Sequence, residues 1–401
     1  MSSNGTHASA LPPYRNIAVD AYRGFVMLLM LAEVMHLSQI AQSFPHSRLW
    51  YFLGYNQSHA EWVGMSLHDT IQPSFTFLVG VALSYSLRSR QRKGESFLHQ
   101  FAHTLWRSVI LITLGVFLRS LHAQSTNYTF EDTLTQIGLG YSFAFLIAQL
   151  SSKWIWSIFA SILLLYWLAW ALYPVPSASF NYMSVGITPA WQSQYFLHGF
   201  AAHWNKNANL GLALDQRFLN LFPRPTRFQF NEGGYLTYNF IPTLGTTLLG
   251  VLTGRWLIAS PAAVPLRKLT QTGAWLIAAG LLLHLTGINP IVKRIWTPAW
   301  TLFSGGVCLL MLSAFSWLLK SNKSHRFAYP LLVIGANSLA AYLMAHLCEE
   351  FILRSLHTHL NAHLFTLLGP PLEPLISGCL VLLIYFYMLR WMYENRIFLR
   401  V

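Results

Sequence analysis

The segment 58–80 places four ionisable side chains, His59, Glu61, His68 and Asp69, at the start of a long apolar run. Only 10% of the chain is charged, and ionisable groups beside a membrane span usually have a function. Because a histidine exchanges protons near neutral pH, His59 could act as a general base toward an amine or hydroxyl, or carry an acyl group covalently. The alternative is an interfacial histidine that contacts water or lipid headgroups.

Asp69 lies at the entrance of the second apolar run, ahead of Pro73. A carboxylate there could cap the N-terminus of a helix, where backbone N–H groups lack partners. It could also orient His59 or bind an acceptor amine, and these roles are compatible. The two residues are ten positions apart without a regular spacing, so their meeting depends on the loop. Glu61 and His68 are further candidates.

Polar residues also occur inside two apolar runs. Asp20 and Arg23 share one face of the first predicted helix, which indicates either a local ion pair or an arginine that faces a phosphate. Asn337, Ser338 and His346 lie in the ninth run, where polar groups either point into the bundle or bond a neighbouring helix. Of the three, His346 is the hardest to explain by packing alone, and both roles stay open for it.

Composition identifies the class of protein. Of the 401 residues, 54% are hydrophobic and 15% aromatic, and the mean hydropathy is +0.41. Too few residues are charged to cover a soluble surface. We therefore predict an all-α, polytopic membrane bundle of about ten transmembrane helices, since helices satisfy the backbone within lipid. The apolar runs are 17–40, 70–87, 103–121, 134–150, 154–173, 239–259, 271–288, 298–319, 330–353 and 371–391.

The distribution of positive charge predicts the orientation. The net charge of +13 would suggest nucleic acid in a soluble protein, but here 15 of the 26 Lys and Arg residues fall in the even-numbered connections and the two tails. By the positive-inside rule both termini are cytoplasmic, and no nucleic acid is expected as a partner. His59 then faces outward. We interpret 1–401 as one transmembrane domain, with an uncleaved first helix and a long extracytoplasmic loop at 174–238.

Metal and disulfide sites are not expected. The three cysteines, Cys308, Cys348 and Cys379, all lie in apolar runs, which favours a packing role. Neither H-E-x-x-H nor a similar set of zinc ligands occurs in the sequence. The chemistry, if there is any, therefore rests on the histidines and carboxylates.

Two segments, 19–30 and 59–80, resemble the heparan-alpha-glucosaminide N-acetyltransferase family of transmembrane acyltransferases and its bacterial relatives. The family pattern is V-D-x-x-R-G, followed by H-x-x-W-x-G, an Asp and P-x-F-x-F-x-x-G. The chain matches it at Val19, Asp20, Arg23, Gly24, His59, Trp62, Gly64, Asp69, Pro73, Phe75, Phe77 and Gly80. Later matches are looser and include Trp296 and the stretch around Asn337. Ile137 replaces an Arg of the family, and D-P-E-G is missing ahead of run six, which favours a divergent bacterial branch.

The resemblance implies an activity. Acetyl-CoA from the cytosol would donate an acetyl group to a sugar or amino-sugar acceptor on the other side of the membrane, with His59 as the catalytic residue. Asp69 would orient His59 or hold an amine. The expected contacts of the acetyl-CoA donor are Arg23, Trp62, Gly64, Asn337, Ser338 and His346.

The resemblance also implies a bacterial cytoplasmic membrane as the location. Members of the family are often homodimers, so a homodimer is one state it allows. A function of another class fits the composition as well, namely a multi-span transporter or flippase of a small polar or glycan-linked substrate. Transport without an acyl donor would distinguish that function from an acyltransferase.

Overall fold

The computed structural model describes residues 16–261 and 264–399, with the backbone alone at 322–325. Arg15 and Arg400, two of the basic residues behind the predicted orientation, lie outside the described residues, as does the side chain of Lys323. All regular elements in the described part of the chain are helices, apart from one isolated bridge between Val63 and Val292. This confirms the all-α prediction.

The helices follow the predicted apolar runs, and each of the ten runs falls on a helix or on consecutive helices. The first nine helices are α1 (Ile17–Leu31), α2 (Leu37–Ser43), α3 (Arg48–Asn56), α4 (Ile71–Arg92), α5 (Phe97–Ser120), α6 (Thr133–Ile147), α7 (Ser152–Leu172), α8 (Pro189–Tyr195) and α9 (Leu210–Phe218). The others are α10 (Phe240–Ala259), α11 (Leu266–Leu285), α12 (Pro298–Leu318), α13 (Asn322–Ala336), α14 (Ser338–Leu347), α15 (Glu349–His359), α16 (Ala362–Phe365) and α17 (Glu373–Glu394).

Fewer helices qualify as membrane spans than the ten runs predict. By length and apolarity, four helices among the described residues could cross a membrane, or six if each bent pair is one span. The four are α5, α7, α12 and the helix at Pro370–Glu394 that contains α17. The predicted count of ten is therefore not confirmed. One reason is length, since α6 has only 15 residues, and the orientation of the termini stays a prediction.

Some helices begin at a short polar side chain that accepts hydrogen bonds from the unpaired N–H groups of the first turn. The side chain of Asp132 accepts hydrogen bonds from two N–H groups in the first turn of α6. The Thr297 side chain accepts one from the first turn of α12, which has Pro298 at its first position. These two side chains therefore mark where the connections before α6 and α12 end.

Helix α4, which follows the ionisable segment, is anchored in the centre of the bundle against α10. The two helices cross at Gly80 and Gly250, where each glycine lies against the backbone of the other helix. A β-carbon on Gly80 would overlap the carbonyl oxygen of Thr247, and one on Gly250 would overlap that of Phe77. Only glycine permits this approach. The start of α4 is thereby held by a rigid, buried helix pair.

Two of the helices are broken. A 3₁₀ helix (Ala32–Met35) and the left-handed residue His36 separate α1 from α2, and the chain bends by 43°. Asn337 separates α13 from α14, with a bend of 68°. Breaks of this kind expose backbone groups that side chains must satisfy.

The connection 174–238 has ordered local structure. It contains α8, α9 and several 3₁₀ turns, and its buried Trp204 joins Trp62 and Trp170 in one apolar cluster. The long connection therefore packs directly on the segment that carries His59.

Candidate active site

The segment that carries His59 is irregular and is held against a second connection, the one before α12. Gly64 adopts a φ of 114°, which favours glycine, and its N–H donates to the carbonyl oxygen of Ile291 at 3.1 Å. The bridge between Val63 and Val292 lies beside this bond. Residues 59–69 and 291–294 are thus brought together although they are far apart in the sequence.

Asp69 is the centre of the site. Its side chain is 1% exposed, and its Oδ1 lies 2.8 Å from Nδ1 of His59. Its Oδ2 accepts from the N–H groups of Ala60 and Ser66, both at 3.0 Å, and from the Ser66 hydroxyl at 3.1 Å. The carboxylate therefore closes the loop and orients His59. The capping bonds considered from the sequence are replaced by these loop bonds.

Lys293 completes the group, and sequence reasoning missed it. Its Nζ lies 3.2 Å from Oδ1 of Asp69 and 3.0 Å from Nδ1 of His59, and its side chain is buried. The signal available in the sequence is a pair of basic residues, Lys293 and Arg294, directly ahead of an apolar run. The positive-inside rule uses both residues only to predict the orientation of the chain, so it gives no reason to place them in the site.

Nδ1 of His59 lies 2.8 Å from Oδ1 of Asp69 and 3.0 Å from Nζ of Lys293. Because an ionised carboxylate can only accept a hydrogen bond, we assign the ring proton to Nδ1, facing Asp69, and the lone pair to Nε2. The Lys293 ammonium then bonds Asp69 at 3.2 Å. Nε2 has no hydrogen-bond partner among the described residues, and the side chain is 38% exposed. The ring therefore offers one accessible basic nitrogen.

Electrostatics keeps this pair in its reactive form. Burial lowers the pKa of His59, and the charge of Lys293 lowers it further, against the opposing effect of Asp69. Burial raises the pKa of Asp69, but the bond from His59 and the charge of Lys293 hold that pKa well below its usual range. Burial lowers the pKa of Lys293, and Asp69 opposes the change. Near neutral pH, Asp69 is thus ionised and His59 is a neutral base.

The wall on one side of His59 is aromatic and charged. The ring of Tyr235 lies 6.5 Å from that of His59, and the Arg294 guanidinium lies 5.4 Å from the centre of Tyr235. Arg294 also pairs with Glu61 at 3.2 Å, and Glu61 accepts from the indole N–H of Trp191 at 2.8 Å. The segment of His59 is therefore tied to the long connection, which supplies Trp191 and Tyr235.

Trp62 and Gly64, both predicted to contact the donor, lie in the same segment. Trp62 is buried and donates from its indole to the carbonyl oxygen of Trp204 at 3.1 Å. Its ring also meets Trp191 edge-on at 5.7 Å. Trp62 thus supports the wall of the site, and Gly64 sets the path of the loop.

On another side, His59 meets His68 and, through it, Glu33. The two imidazole rings lie 4.7 Å apart at an angle of 51°. Nε2 of His68 lies 2.5 Å from Oε1 of Glu33, which comes from the break between α1 and α2. The sequence indicated His68 as a candidate, but it gave no reason to connect Glu33 with it.

Arg23 lies where α1 crosses α13. Its Nη2 pairs with Oδ1 of Asp20 at 2.7 Å, and its Nε donates to the carbonyl oxygen of Gly335 at 2.7 Å. The local ion pair expected from the spacing is present. Neither of these two bonds reaches the group around His59.

The predicted residues at the second break have other surroundings. Asn337 is fully buried, donates to the carbonyl oxygen of Ile397 at 3.0 Å, and accepts from the N–H of Leu399 at 3.2 Å. Ser338 begins α14. His346 is exposed. Its Nδ1 lies 2.9 Å from the carbonyl oxygen of Tyr342, and its ring stacks on the ring of Tyr342. These three residues do not contact His59 in the described structure.

No group of three or more His, Cys, Asp or Glu side chains within 16–261 and 264–399 is arranged to hold a metal ion. The polar groups around His59 are instead paired with one another. The site as described can take up a proton at one nitrogen and stabilise the resulting imidazolium with a buried carboxylate. This is the chemistry of a general base or of a nitrogen nucleophile.

Comparison with known proteins places this geometry in context. No protein-family model matches the chain. The chain is 23% identical over 372 residues to heparan-alpha-glucosaminide N-acetyltransferase of Mus musculus, an alignment that covers 83% of the chain and 53% of the mouse protein. It is 31% identical over 110 residues to the Homo sapiens protein of the same name, covering 27% of the chain and 14% of that protein.

The chain thus spans about half the length of the mouse protein that it matches. These matches agree with the motif resemblance in residues 19–30 and 59–80 and confirm a distant similarity to heparan-alpha-glucosaminide N-acetyltransferases. With its apolar helices, the chain is an integral membrane protein.

Proposed function

We propose that this protein is a membrane acetyltransferase that moves an acetyl group from acetyl-CoA to a sugar or amino-sugar acceptor. The observation that carries the proposal is the geometry of His59. Its Nδ1 is held by the buried Asp69 at 2.8 Å, and its Nε2 is unpartnered among the described residues. The distant similarity to a transmembrane acetyltransferase supports the acyl-transfer chemistry.

His59 can act in two ways. As a general base, its Nε2 takes the proton of the acceptor amine or hydroxyl while that atom attacks the thioester carbonyl. As a nucleophile, Nε2 attacks the carbonyl itself and then passes the acetyl group to the acceptor. In both cases Asp69 fixes the ring and stabilises the positive charge that develops on it.

In our proposal, acetyl-CoA reaches this site from one side of the membrane and the acceptor reaches it from the other. The chain lies in a bacterial cytoplasmic membrane with both termini inside, and His59 is near the outer face. Trp62 and Gly64 shape the acyl pocket. Arg23, Ser338 and His346 remain candidate contacts of acetyl-CoA. Asn337 is a further one, although its amide already bonds the backbone near the C-terminus.

The test uses the protein in liposomes, with radiolabelled acetyl-CoA on one side and an amino sugar such as glucosamine on the other. We expect labelled N-acetyl sugar, and we expect His59→Ala to lower its rate about 10²–10⁴-fold, the usual contribution of a general acid–base group. The matched control is His99→Ala, at an exposed position at the start of α5.

Two results would contradict the proposal. One is acetyl transfer that proceeds at the same rate in His59→Ala. The other is movement of unmodified sugar across the membrane without any acyl donor, which would favour the transporter or flippase.

A further inference from the structure

Glu33 and His68 form a carboxylate–imidazole pair that the proposed function leaves without a role. Oε1 of Glu33 lies 2.5 Å from Nε2 of His68. The His68 side chain is only 6% exposed, whereas that of Glu33 is 53% exposed. The pair therefore runs from a buried imidazole beside His59 to a carboxylate that ligands or water can reach.

The break in the first helix is built so that Glu33 holds this position. Gln57 donates to the carbonyl oxygen of Ala32 at 2.5 Å and accepts a hydrogen bond from the N–H of Leu37. These two bonds satisfy backbone groups that the break would otherwise leave open. Gly378 packs against the backbone of Met35 on α17's side of the break. These contacts hold the backbone at the break, and so they fix the position from which the Glu33 side chain extends.

His59 touches two rings with titratable groups outside its own trio with Asp69 and Lys293. The first is His68, at 4.7 Å between ring centres. The second is Tyr235 at 6.5 Å, and burial raises the pKa of its hydroxyl to about 12. Tyr235 stays neutral during turnover, so His68 is the neighbour that can accept a proton.

The charges around the two rings show where a proton can be held. A proton on Nε2 of His59 makes that ring cationic between the Asp69 carboxylate, 2.8 Å from Nδ1, and the Lys293 ammonium, 3.0 Å from Nδ1, so attraction and repulsion oppose each other there. A proton on His68 produces a cation that faces the Glu33 carboxylate, 2.5 Å from its Nε2. Each imidazole thus has a carboxylate of its own, so His68 can hold the proton that His59 releases.

We propose that the His68–Glu33 pair is a second acid–base pair of the same site, which passes the acceptor's proton from His59 to the departing thiolate. The inference rests on the proposed function. The acceptor N–H or O–H bond breaks and its proton goes to Nε2 of His59, as the new bond to the acetyl carbon forms. The C–S bond breaks, the proton moves from His59 to the pair, and the pair delivers it to sulfur. The products are the acetylated acceptor and the free thiol, without net loss or gain of protons.

If the His68–Glu33 pair protonates the thiolate, the effect of losing the pair depends on how basic the leaving thiolate is. An alkyl thiolate such as that of CoA is basic, and it departs more readily when a proton is supplied. An aryl thiolate with electron-withdrawing groups is a better leaving group and needs no proton. Loss of the pair should therefore slow transfer from acetyl-CoA far more than transfer from an aryl thioester.

The experiment compares two donors, acetyl-CoA and the acetyl thioester of 5-thio-2-nitrobenzoate, in the full-length protein in liposomes with glucosamine as acceptor. We expect Glu33→Gln and His68→Gln to lower transfer from acetyl-CoA about 100-fold and to leave transfer from the aryl donor within about threefold of wild type. Thermal unfolding of each variant shows whether it folds as the wild type does.

Two variants serve as controls. Glu349→Gln removes the carboxylate of a similar pair, in which Glu349 lies 3.9 Å from Nε2 of His36 at the same break, and it should behave as wild type with both donors. Asp69→Asn should be slow with both donors, because it disturbs His59 itself. The contrast between these controls and Glu33→Gln isolates the leaving-group step.

A second measurement uses the exposure of Glu33. In Glu33→Ala, added formate should enter the vacated space and restore part of the turnover with acetyl-CoA, whereas formate should have no such effect on Asp69→Ala. Equal losses with both donors, or a Glu33→Ala variant that formate does not restore, would overturn the inference. If the wild type transfers acetyl from neither donor, the proposed function itself fails, which is a distinct outcome.

Discussion

The site around His59 and the break at Asn337 both bury polar side chains in an apolar bundle, but they leave different atoms available. At the first, Asp69 and Lys293 engage one nitrogen of His59 and leave the other accessible. At the second, both ends of the Asn337 amide are bonded to the backbone near the C-terminus. A buried polar group indicates chemistry only where an atom remains after the structural bonds are made.

The two regions also differ in what their bonds achieve. The bonds of Asp69 join the loop 58–70 into a frame around one imidazole. Those of Asn337 close a bend of 68° and attach the C-terminal segment to it. We therefore expect substitutions at the first region to change rates and those at the second to change stability.

The largest effect is expected for Asp69→Asn. The amide has nearly the shape of the carboxylate but no charge, so it neither fixes the tautomer of His59 nor stabilises its imidazolium. We predict a fall of about 10²–10⁴ in the rate of acetyl transfer to glucosamine per folded molecule. The unfolding temperature falls as well, because the change leaves the buried Lys293 ammonium without its carboxylate. Glu350→Gln, at an exposed ion pair with Arg354, is the control. A rate within about twofold of wild type would remove the distinction between the two regions.

The sequence predicts two of the three residues in this candidate group, His59 and Asp69, for an identifiable reason. His59 and Asp69 lie on one short segment, so their types and their position beside an apolar run were visible together. Lys293 comes from a connection 234 residues after His59, and only the packing of residues 63 and 64 against 291 and 292 brings it there. Pairings of this kind depend on tertiary structure and leave no local pattern.

The next effect tests what Lys293 does to His59. In Lys293→Met a cationic neighbour is lost, so the pKa of His59, which burial and this charge lower, moves up. His59 is a base only when it is neutral, so activity is lost at a higher pH on acidification. We predict that the acidic limb of kcat/KM moves to higher pH. Lys268→Met, on α11 over the Trp256 ring, is the control. A limb that does not move in Lys293→Met would contradict this role for Lys293.

The helices show a similar division between local and tertiary information. All ten apolar runs fall on helices, because hydrophobic composition alone sets them. The breaks at His36 and Asn337 were not predicted, because neither position is a proline or a glycine, the residues that usually mark a helix break in a sequence. They depend on partners elsewhere in the chain, such as Gln57 and the backbone at 397–399. Glu33 lies at the first of these breaks and Asn337 at the second. The two breaks that the sequence did not predict therefore both contain a polar side chain.

The smallest effect is expected for Asn337→Ala. This change removes the bonds from Asn337 to the backbone of Ile397 and Leu399, which are exposed residues, so each lost bond costs about 0.5–1.5 kcal/mol in the free energy of unfolding. We predict a lower midpoint of thermal unfolding, measured in detergent by intrinsic fluorescence, with Asn395→Ala at an exposed position as the control. A raised KM for acetyl-CoA with an unchanged midpoint would instead assign Asn337 the donor contact that the family resemblance implies. Because the two readouts separate a bond within the fold from a bond to the donor, this variant decides which description of the second region holds.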